Sequence, residues 1–508
     1  MTASDPAALR RSYYLLLIAV SVGIAAAKIV GAENVYEPSR YRPPTETSFG
    51  ADRDKEYIPE RVWPKTRPEP TQTFSSNDKS RWATIRALVE DCTYVVGRRS
   101  NFEDKSGPWD DKGIIFLPDY QSLDKVMNPE TGEFYSSKPP LFPTVVAGEY
   151  WLLRKLFGWS IDRDRWSVMA AILLTVNVLP LAVYLLLLSR LIDDYAESDF
   201  ARLLAFTTAC CGTFLTTFSH TLNNHVPAAY CALFAVYPLL SKRGTSAIES
   251  PSKLLASGFF AGLTATLDLP AAALAAGLFV PLLIVRPGKT LAFFLPGLLV
   301  PVAALLYCNY AAMGSVLPAY SEFGGPWYNY PGSHWARLGT PAAKGIDFAD
   351  EPKTVYAFHL LFGHHGWFSL TPVWLLGAAG MAALAWKAGP QVKLVLLTRR
   401  PGQEGLWSLS VFGAMTLAVS VVVFLFYVWR SNNYGGFTSG PRWLFWLIPL
   451  WLLGTLPAAD WVGRYRAGRL AAAVLLGFSV LSVFYPAWNP WRPPWILQLC
   501  ELNGWVRY

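Results

Sequence analysis

The chain has 508 residues, of which 52% are hydrophobic and only 16% are charged, and its mean hydropathy is +0.26. Soluble domains carry about 25% charged residues, so this composition excludes an ordinary soluble enzyme and indicates a membrane protein. The net charge of +8 comes from Lys and Arg scattered over short polar segments without a basic stripe, which argues against a nucleic-acid-binding protein.

The first apolar run covers residues 12–30 and follows two arginines. It is long enough to cross a hydrocarbon core of about 30 Å, and we expect it to be retained as the first span. A cleaved signal peptide is the alternative interpretation, because the alanines at 25–27 are small enough for a signal peptidase.

Ten further apolar runs follow, separated by polar connections, and together with the first they predict about eleven transmembrane helices. They cover residues 168–188, 203–218, 226–240, 254–267, 270–285, 291–312, 368–386, 409–429, 443–457 and 470–484. The predicted fold is an all-α integral membrane protein whose residues 1–508 form a single polytopic domain.

The distribution of basic residues predicts the orientation of these spans. Counted from a cytoplasmic N-terminus, the loops on the inner side carry Lys and Arg, as the positive-inside rule requires. Three longer segments then lie outside, namely the first loop (residues 31–165), the second loop (314–366) and the C-terminal tail (485–508). We therefore predict a multi-pass protein of the cytoplasmic (inner) membrane.

The first loop is too long to be a simple connection, and loops of this length usually carry function. Residues 33–76 have no hydrophobic period and predict extended surface structure, while residues 102–134 are polar and contain turn signals. Two runs with helical spacing predict amphipathic helices on the membrane surface: Trp82, Ile85, Leu88, Val89 and Cys92, and Leu141, Val145, Tyr150, Leu153 and Phe157.

Short motifs in this loop resemble a known superfamily. The sequence DKSRWATI at 78–85, the sequence YSSKPPL at 135–141 and the run 150–158 resemble the first-loop signature of GT-C membrane glycosyltransferases. The resemblance is strongest to lipid A aminoarabinose transferases, protein O-mannosyltransferases and lipopolysaccharide galacturonosyltransferases. Residues 362–372 and the sequence GGFTSGPR at 435–442 are similar to later motifs of the same families.

Asp78 matches the catalytic Asp of these families. A sugar acceptor hydroxyl is a poor nucleophile, and a carboxylate that takes its proton makes it reactive. The families often have a second acid next, where this chain has Lys79, so Glu90, Asp91 or Glu103 would have to approach in the fold to replace it. The alternative interpretation of Asp78 is a helix N-cap.

Two cations are candidates for binding the phosphate of a lipid-linked donor. Lys138 matches the KPP lysine of the aminoarabinose transferases, with lipid-headgroup contact as the alternative. Arg442 follows the Gly-rich turn, with a role as an interfacial anchor beside Trp443 as the alternative. Ser137 replaces an acid that those enzymes link to metal binding, so we take no metal site from the resemblance. We predict no cofactor, and the sequence leaves metal dependence undecided.

Polar residues elsewhere complete the candidate site. His364 and His365 are positioned to donate to the phosphate or acceptor, or else are plain interfacial histidines. Asn224, His225 and Asp268 are candidates for the substrate pocket, with ordinary turn structure as the alternative for the first two; an ionisable group such as Asp268 beside a membrane span is a functional candidate.

Four aromatic residues of the second loop are candidates for stacking on sugar faces: Trp327, Tyr328, Tyr330 and Trp335. Among the cysteines, Cys92 and Cys500 both fall in predicted external segments, where a disulfide is permitted.

Taken together, the resemblance implies a membrane glycosyltransferase that moves a sugar from a polyprenyl-phosphate-linked donor to a glycan, lipid or protein acceptor of the cell envelope. Membrane lipids are expected partners and nucleic acid is not. The alternatives are a non-catalytic transporter or flippase of lipid-linked saccharides and a structural component of an envelope-assembly complex. The enzyme hypothesis requires Asp78, Lys138 and Arg442 to meet at one place in the fold.

Overall fold

A computed structural model describes residues 6–32, 73, 75–103, 109–242, 249–341, 343, 345–400, 406–506 and 508. The segment predicted to be extended, 33–76, lies almost entirely outside the described residues. In the described part, the helices of eight residues or more are α1 (Pro6–Val30), α2 (Ser76–Glu90), α3 (Leu141–Phe157), α4 (Arg165–Leu173), α5 (Leu179–Tyr195), α6 (Asp199–Cys211), α7 (His225–Leu240), α8 (Pro251–Leu267), α9 (Ala272–Val285), α10 (Leu295–Met313), α11 (Lys353–Leu361), α12 (Trp374–Thr398), α13 (Leu409–Arg430), α14 (Ile448–Val462), α15 (Arg466–Phe484) and α16 (Trp495–Leu502).

Seven helical segments of the described chain are long and apolar enough to cross a membrane. They are Pro6–Val30, Arg165–Tyr195, Asp199–Phe218, Pro287–Met313, Leu409–Arg430, Arg442–Val462 and Arg466–Phe484. Two further apolar helices, His225–Leu240 and Leu269–Val285, are shorter. A helix rises about 1.5 Å per residue, so a length of about 16 residues falls short of the hydrocarbon core. The figure of about eleven spans therefore stays a prediction, as does the orientation.

The first span packs against the body of the protein through polar contacts at its N-terminal end. The Arg10 guanidinium forms an ion pair with Asp193 at 3.0 Å, and the Tyr13 hydroxyl lies 2.9 Å from the Thr207 hydroxyl. Farther along α1, Ala25 and Ile29 are fully buried. These contacts join α1 to the ends of α5 and α6.

Small residues allow α8 and α10 to pack with their backbones almost touching. A Cβ atom on Gly258 would lie 2.0 Å from the Phe294 carbonyl oxygen, and one on Gly262 would lie 2.4 Å from the Leu298 carbonyl oxygen. Close approach at small residues is the usual means of helix association in membranes. The contact fixes the position of α8, which ends directly before Asp268.

The first loop contains a four-stranded antiparallel sheet, so the prediction of an all-α fold was incomplete. The strands have the order β2-β1-β4-β3 and are β1 (Gly97–Arg99), β2 (Asp111–Lys112), β3 (Lys125–Met127) and β4 (Glu133–Ser136). Val126 pairs with Tyr135 in the β3–β4 hairpin, and the hairpin turn contains two of the turn signals in the polar stretch, Asn128-Pro129 and Thr131-Gly132. Strands of two to four residues are too short for a two-residue period to emerge in the sequence.

The two helices predicted to lie on the membrane surface differ in the structure. In α2, Trp82 and Ile85 are fully buried, so this helix packs inside the protein and the prediction was wrong for it. Asn77, Asp78 and Arg81 of this helix are buried too, because they face other polar groups of the protein instead of water. In α3, Val145 and Leu156 are exposed apolar side chains, as a membrane-facing helix requires.

The second loop packs on the sheet through the aromatic residues that the sequence singled out. The Met127 amide donates to the Trp327 carbonyl at 3.0 Å, and the rings of Tyr135 and Trp327 lie 5.7 Å apart. Tyr328 and Tyr330 are buried. These rings therefore join the two loops to each other. All six cysteines are free thiols, so the permitted disulfide between Cys92 and Cys500 is not formed.

Candidate functional site

Ionisable residues from six separate parts of the chain meet where the two loops cover the ends of α7 and α8. We call this group the charged cluster, and it consists of Asp78, Arg81, Asp124, Lys138, His225, Asp268 and Arg442. Arg81 lies at its centre and interacts electrostatically with Asp124, Arg442, Asp78 and Asp268. Burying ionisable side chains costs folding free energy. A cluster of them is therefore a candidate functional site.

Arg81 is held by hydrogen bonds to both sides of the cluster. Its Nη1 donates to the Asn77 carbonyl at 2.8 Å, and its Nη2 donates to the Asn224 side-chain oxygen. Burial lowers the pKa of Arg81 to about 10, although the nearby acids act to raise it. The guanidinium therefore stays charged at neutral pH. Sequence reasoning missed Arg81, although it lies inside the DKSRWATI motif one helical turn after Asp78.

Asp124 and Lys138 form an ion pair at the more open side of the cluster. The Lys138 Nζ lies 2.7 Å from Asp124 Oδ1, and the two side chains keep 21% and 14% of their surface exposed. Burial opposes ionisation of Asp124, but the positive charges of Lys138, Arg442 and Arg81 outweigh it and hold its pKa below normal. Burial also lowers the pKa of Lys138, and Asp124 counteracts that effect. Lys138 is therefore directed into the protein instead of toward lipid headgroups.

The ends of α7 and α8 supply the third part of the cluster. His225 Nδ1 lies 3.0 Å from Asp268 Oδ2, and the Asn224 amide donates to Asp268 Oδ1 at 3.1 Å. The three pocket candidates of the sequence are thus in mutual contact, and their role in binding a substrate stays a prediction.

Arg442 joins this group from the other half of the chain. Its Nη1 lies 3.4 Å from His225 Nε2, and its Nη2 donates to the Gly435 carbonyl at 2.7 Å. Its guanidinium lies over the ring of Trp491, 4.9 Å from the centroid. Its Nε is buried and has no hydrogen-bond partner among the described residues, so one donor is available for a ligand.

Asp78 is fully buried at the start of α2. Its Oδ1 accepts hydrogen bonds from the Ser75 amide at 2.7 Å and from the Lys79 amide at 2.9 Å. Ser75 is the N-cap, and Asp78 completes the capping box from the third helical position. The carboxylate thus caps the helix and faces Arg81, and its role as a base stays a prediction.

The sequence did not identify the acid that could replace the one that the related families have directly after the catalytic Asp. Glu90 is occupied by an ion pair with Arg86 and by the Tyr150 hydroxyl, and Asp91 and Glu103 are exposed. None of these three belongs to the cluster. Asp124 does, and no motif in the sequence marked it, because its position depends on the unpredicted strand β3.

The second loop contributes a wall to the cluster. Burial, reinforced by the charge of Asp124, raises the pKa of Tyr328 well above its usual value. Burial and the charge of Asp268 do the same for Tyr320. Both phenols are therefore neutral hydrogen-bonding groups beside the acids.

His364 and His365 contact a different set of residues. His364 Nδ1 lies 2.6 Å from His365 Nδ1, and its Nε2 lies 2.7 Å from the Tyr508 hydroxyl. His365 stacks on Tyr434 at 5.0 Å. Burial and the charges of His365 and His359 lower the pKa of His364 to about 2, so this imidazole is neutral. The two histidines lie behind the turn that holds Arg442, and phosphate binding by them stays a prediction.

Comparisons with known proteins give only remote similarity. No family model matches the chain, and no curated protein matches it. Among solved structures, the oligosaccharyltransferase of Archaeoglobus fulgidus in the apo form is 13% identical with a TM-score of 0.45, over 97% of this chain and 58% of that chain. The archaeal oligosaccharyltransferase AglB from Archaeoglobus fulgidus, in complex with an inhibitory peptide and a dolichol-phosphate, is 11% identical with a TM-score of 0.45 over the same shares. The chain thus spans less than two thirds of the length of these enzymes.

Proposed function

We propose that this protein is a GT-C-type membrane glycosyltransferase that moves a sugar from a polyprenyl-phosphate-linked donor to an envelope glycan, lipid or protein. One observation carries the proposal. Three cations from distant parts of the sequence, Arg81, Lys138 and Arg442, interact with the same buried carboxylate of Asp124. Arg442 begins a segment, Arg442–Val462, that is long and apolar enough to cross a membrane, and the end of such a segment is where the phosphate of a lipid carrier would be found.

The cations suit a departing phosphate. As the bond between the sugar and the phosphate breaks, negative charge grows on the phosphate oxygens, and fixed positive charges stabilise that state more than the starting state. Arg442 has a buried Nε that no described residue uses, and the Lys138 pair keeps partial exposure. Donor phosphate would therefore approach from the side of Lys138 and accept hydrogen bonds from both residues.

The acceptor requires a base. In the proposed step, the acceptor hydroxyl oxygen bonds to the anomeric carbon while the bond from that carbon to the phosphate oxygen breaks. The phosphate keeps the electron pair, and the hydroxyl proton passes to the carboxylate of Asp78. A single displacement of this kind inverts the anomeric centre. Asp124 then serves to hold Lys138 and to balance the three cations in the free protein.

Sugar transfer from a radiolabelled polyprenyl-phosphate donor, in membranes from cells that express the chain, tests this proposal. We expect Lys138→Gln to lower the transfer rate by about 10²- to 10³-fold, the usual effect of losing one stabilising donor of a transition state. Lys112→Gln is the matched control, because Lys112 also pairs with an Asp of the first loop but is 73% exposed on the sheet.

Equal rates for the wild type and Lys138→Gln would contradict the proposal. A flippase would give a different result, because it would move the labelled donor from one leaflet of a vesicle membrane to the other without forming a new glycosidic bond. Transport without transfer therefore identifies that alternative.

A further inference from the structure

Three ligand-type side chains meet near the end of the second loop, apart from the charged cluster. Glu351, His359 and His364 each offer one ligand atom, and these atoms lie within 4.8 Å of one another. His364 is fully buried, and the other two are half-buried. The group combines one carboxylate oxygen with two imidazole nitrogens.

The local backbone brings the two histidines together. His359 lies in the last turn of α11, which ends at Leu361, and the chain then turns back through Gly363. A Cβ atom on Gly363 would lie 2.2 Å from His359 Nδ1, so only glycine lets the chain pass so close to this imidazole. The rings of His359 and His364 lie 4.0 Å apart as a result.

Neighbouring hydrogen bonds orient two of these ligands. The Tyr508 hydroxyl lies 2.7 Å from His364 Nε2 and donates to Glu351 Oε1 at 2.7 Å, and the Tyr434 hydroxyl donates to Glu351 Oε2. His365 Nδ1 lies 2.6 Å from His364 Nδ1. Metal ligands are commonly held by such outer hydrogen bonds, which fix the ring orientation and the tautomer.

We propose that Glu351, His359 and His364 bind one divalent transition-metal ion, for which Zn²⁺ is the best-fitting probe. Two imidazole nitrogens and a carboxylate match the ligand preference of Zn²⁺, whereas Mg²⁺ and Ca²⁺ prefer oxygen ligands. Zinc bonds of about 2.0–2.2 Å place tetrahedral ligand atoms about 3.4 Å apart, so the side chains would close in by about 1 Å. Tyr508 would then give up its bridging position.

The site would join the second loop to the turn that holds Arg442. Tyr434 contacts both Glu351 and His365, and the next residue, Gly435, accepts a hydrogen bond from Arg442. A bound ion would therefore stabilise the folded chain against unfolding. This inference does not depend on sugar transfer, and it is tested without measuring activity.

The test uses the purified 508-residue chain in detergent, stripped of metal with a chelator and then titrated with Zn²⁺ and, separately, with Co²⁺. We expect one ion per chain, the visible absorption of four- or five-coordinate Co²⁺ with nitrogen ligands, and a higher unfolding temperature when Zn²⁺ is bound. Mg²⁺ at the same concentration should produce none of these changes.

Variants identify the ligands. We expect His359→Ala and Glu351→Gln each to weaken Zn²⁺ binding by more than the roughly 10- to 100-fold that loss of an outer hydrogen bond causes. His334→Ala is the matched control, because His334 also belongs to the second loop and pairs with an acid, Asp347 at 3.3 Å. Unfolding temperatures of the metal-free proteins show which variants remain folded.

Two results would overturn the inference. One is a wild-type protein that binds no Zn²⁺ beyond the level of a chelator-washed blank. The other is binding that persists unchanged in folded His359→Ala and Glu351→Gln proteins, because the ion would then lie elsewhere.

Discussion

Replacing Asp78 separates its two roles, in capping α2 and in catalysis. The Oδ1 atom accepts hydrogen bonds from two backbone amides, at 2.7 and 2.9 Å. Asparagine keeps an acceptor oxygen at this position but cannot take a proton from an acceptor hydroxyl. Alanine removes the oxygen as well and leaves buried amide donors without a partner.

The structure gives a magnitude for each change. Loss of a capping side chain costs about 0.5–2 kcal/mol, and a buried donor left unsatisfied costs about 1–3 kcal/mol, so we expect Asp78→Ala to lower the free energy of unfolding by about 2–3 kcal/mol. Asp78→Asn should lower it by less than about 1 kcal/mol, because the capping oxygen remains. Both variants should lose about 10²- to 10⁴-fold in transfer rate, the usual contribution of a general base.

The assay combines unfolding of the purified protein in detergent with single-turnover transfer from a labelled polyprenyl-phosphate donor. Asp78→Asn is the decisive variant, since it should remain folded with only a small loss of stability and yet lose activity. A folded Asp78→Asn protein with the wild-type rate would refute the role of Asp78 as the base and leave it as a helix cap only.

The remaining predictions concern Asp124 and the packing of α8. The folded-state pKa of Asp124 lies below its ordinary value, which is about 3.9 when unfolded, so its ionised form stabilises the fold above about pH 4 and this contribution is lost as the pH falls through the folded pKa. The unfolding temperature of the wild type should therefore exceed that of Asp124→Asn at pH 7 and approach it as the pH falls below about 4, and a constant difference across this range would contradict the pairing. Gly258→Ala should destabilise the protein by about 1–3 kcal/mol because its Cβ would lie 2.0 Å from the carbonyl oxygen of Phe294, the residue directly before α10. Gly23→Ala in α1 is the control, since nothing lies within 4 Å of its added Cβ, and equal unfolding temperatures for the two variants would contradict the close packing.

Sequence reasoning was most successful where a signal extends over many residues. The long apolar runs predicted membrane helices because their length and composition show directly in the sequence. The turn signals at Asn128-Pro129 and Thr131-Gly132 correctly indicated a turn, which lies between β3 and β4 in the structure. The strands on either side were missed, because segments of two to four residues are too short to show the alternation of apolar and polar residues that indicates a strand.

The same reason explains what was missed at the site. Lys138 and Arg442 were recognised because they lie in motifs, and the structure brings both beside Asp124. Asp124 itself and Arg81 could not be identified, since their importance comes from contacts with distant residues that only the fold creates. Likewise, His359 lies close to His364 only because the chain turns at Gly363.

The most direct test of the central claim is to locate the lipid phosphate itself, by electron cryomicroscopy of the protein in nanodiscs saturated with a polyprenyl phosphate. The proposal predicts phosphate density within hydrogen-bonding distance of Lys138 and Arg442. A phosphate bound elsewhere on the protein, with the charged cluster undisturbed, would contradict it.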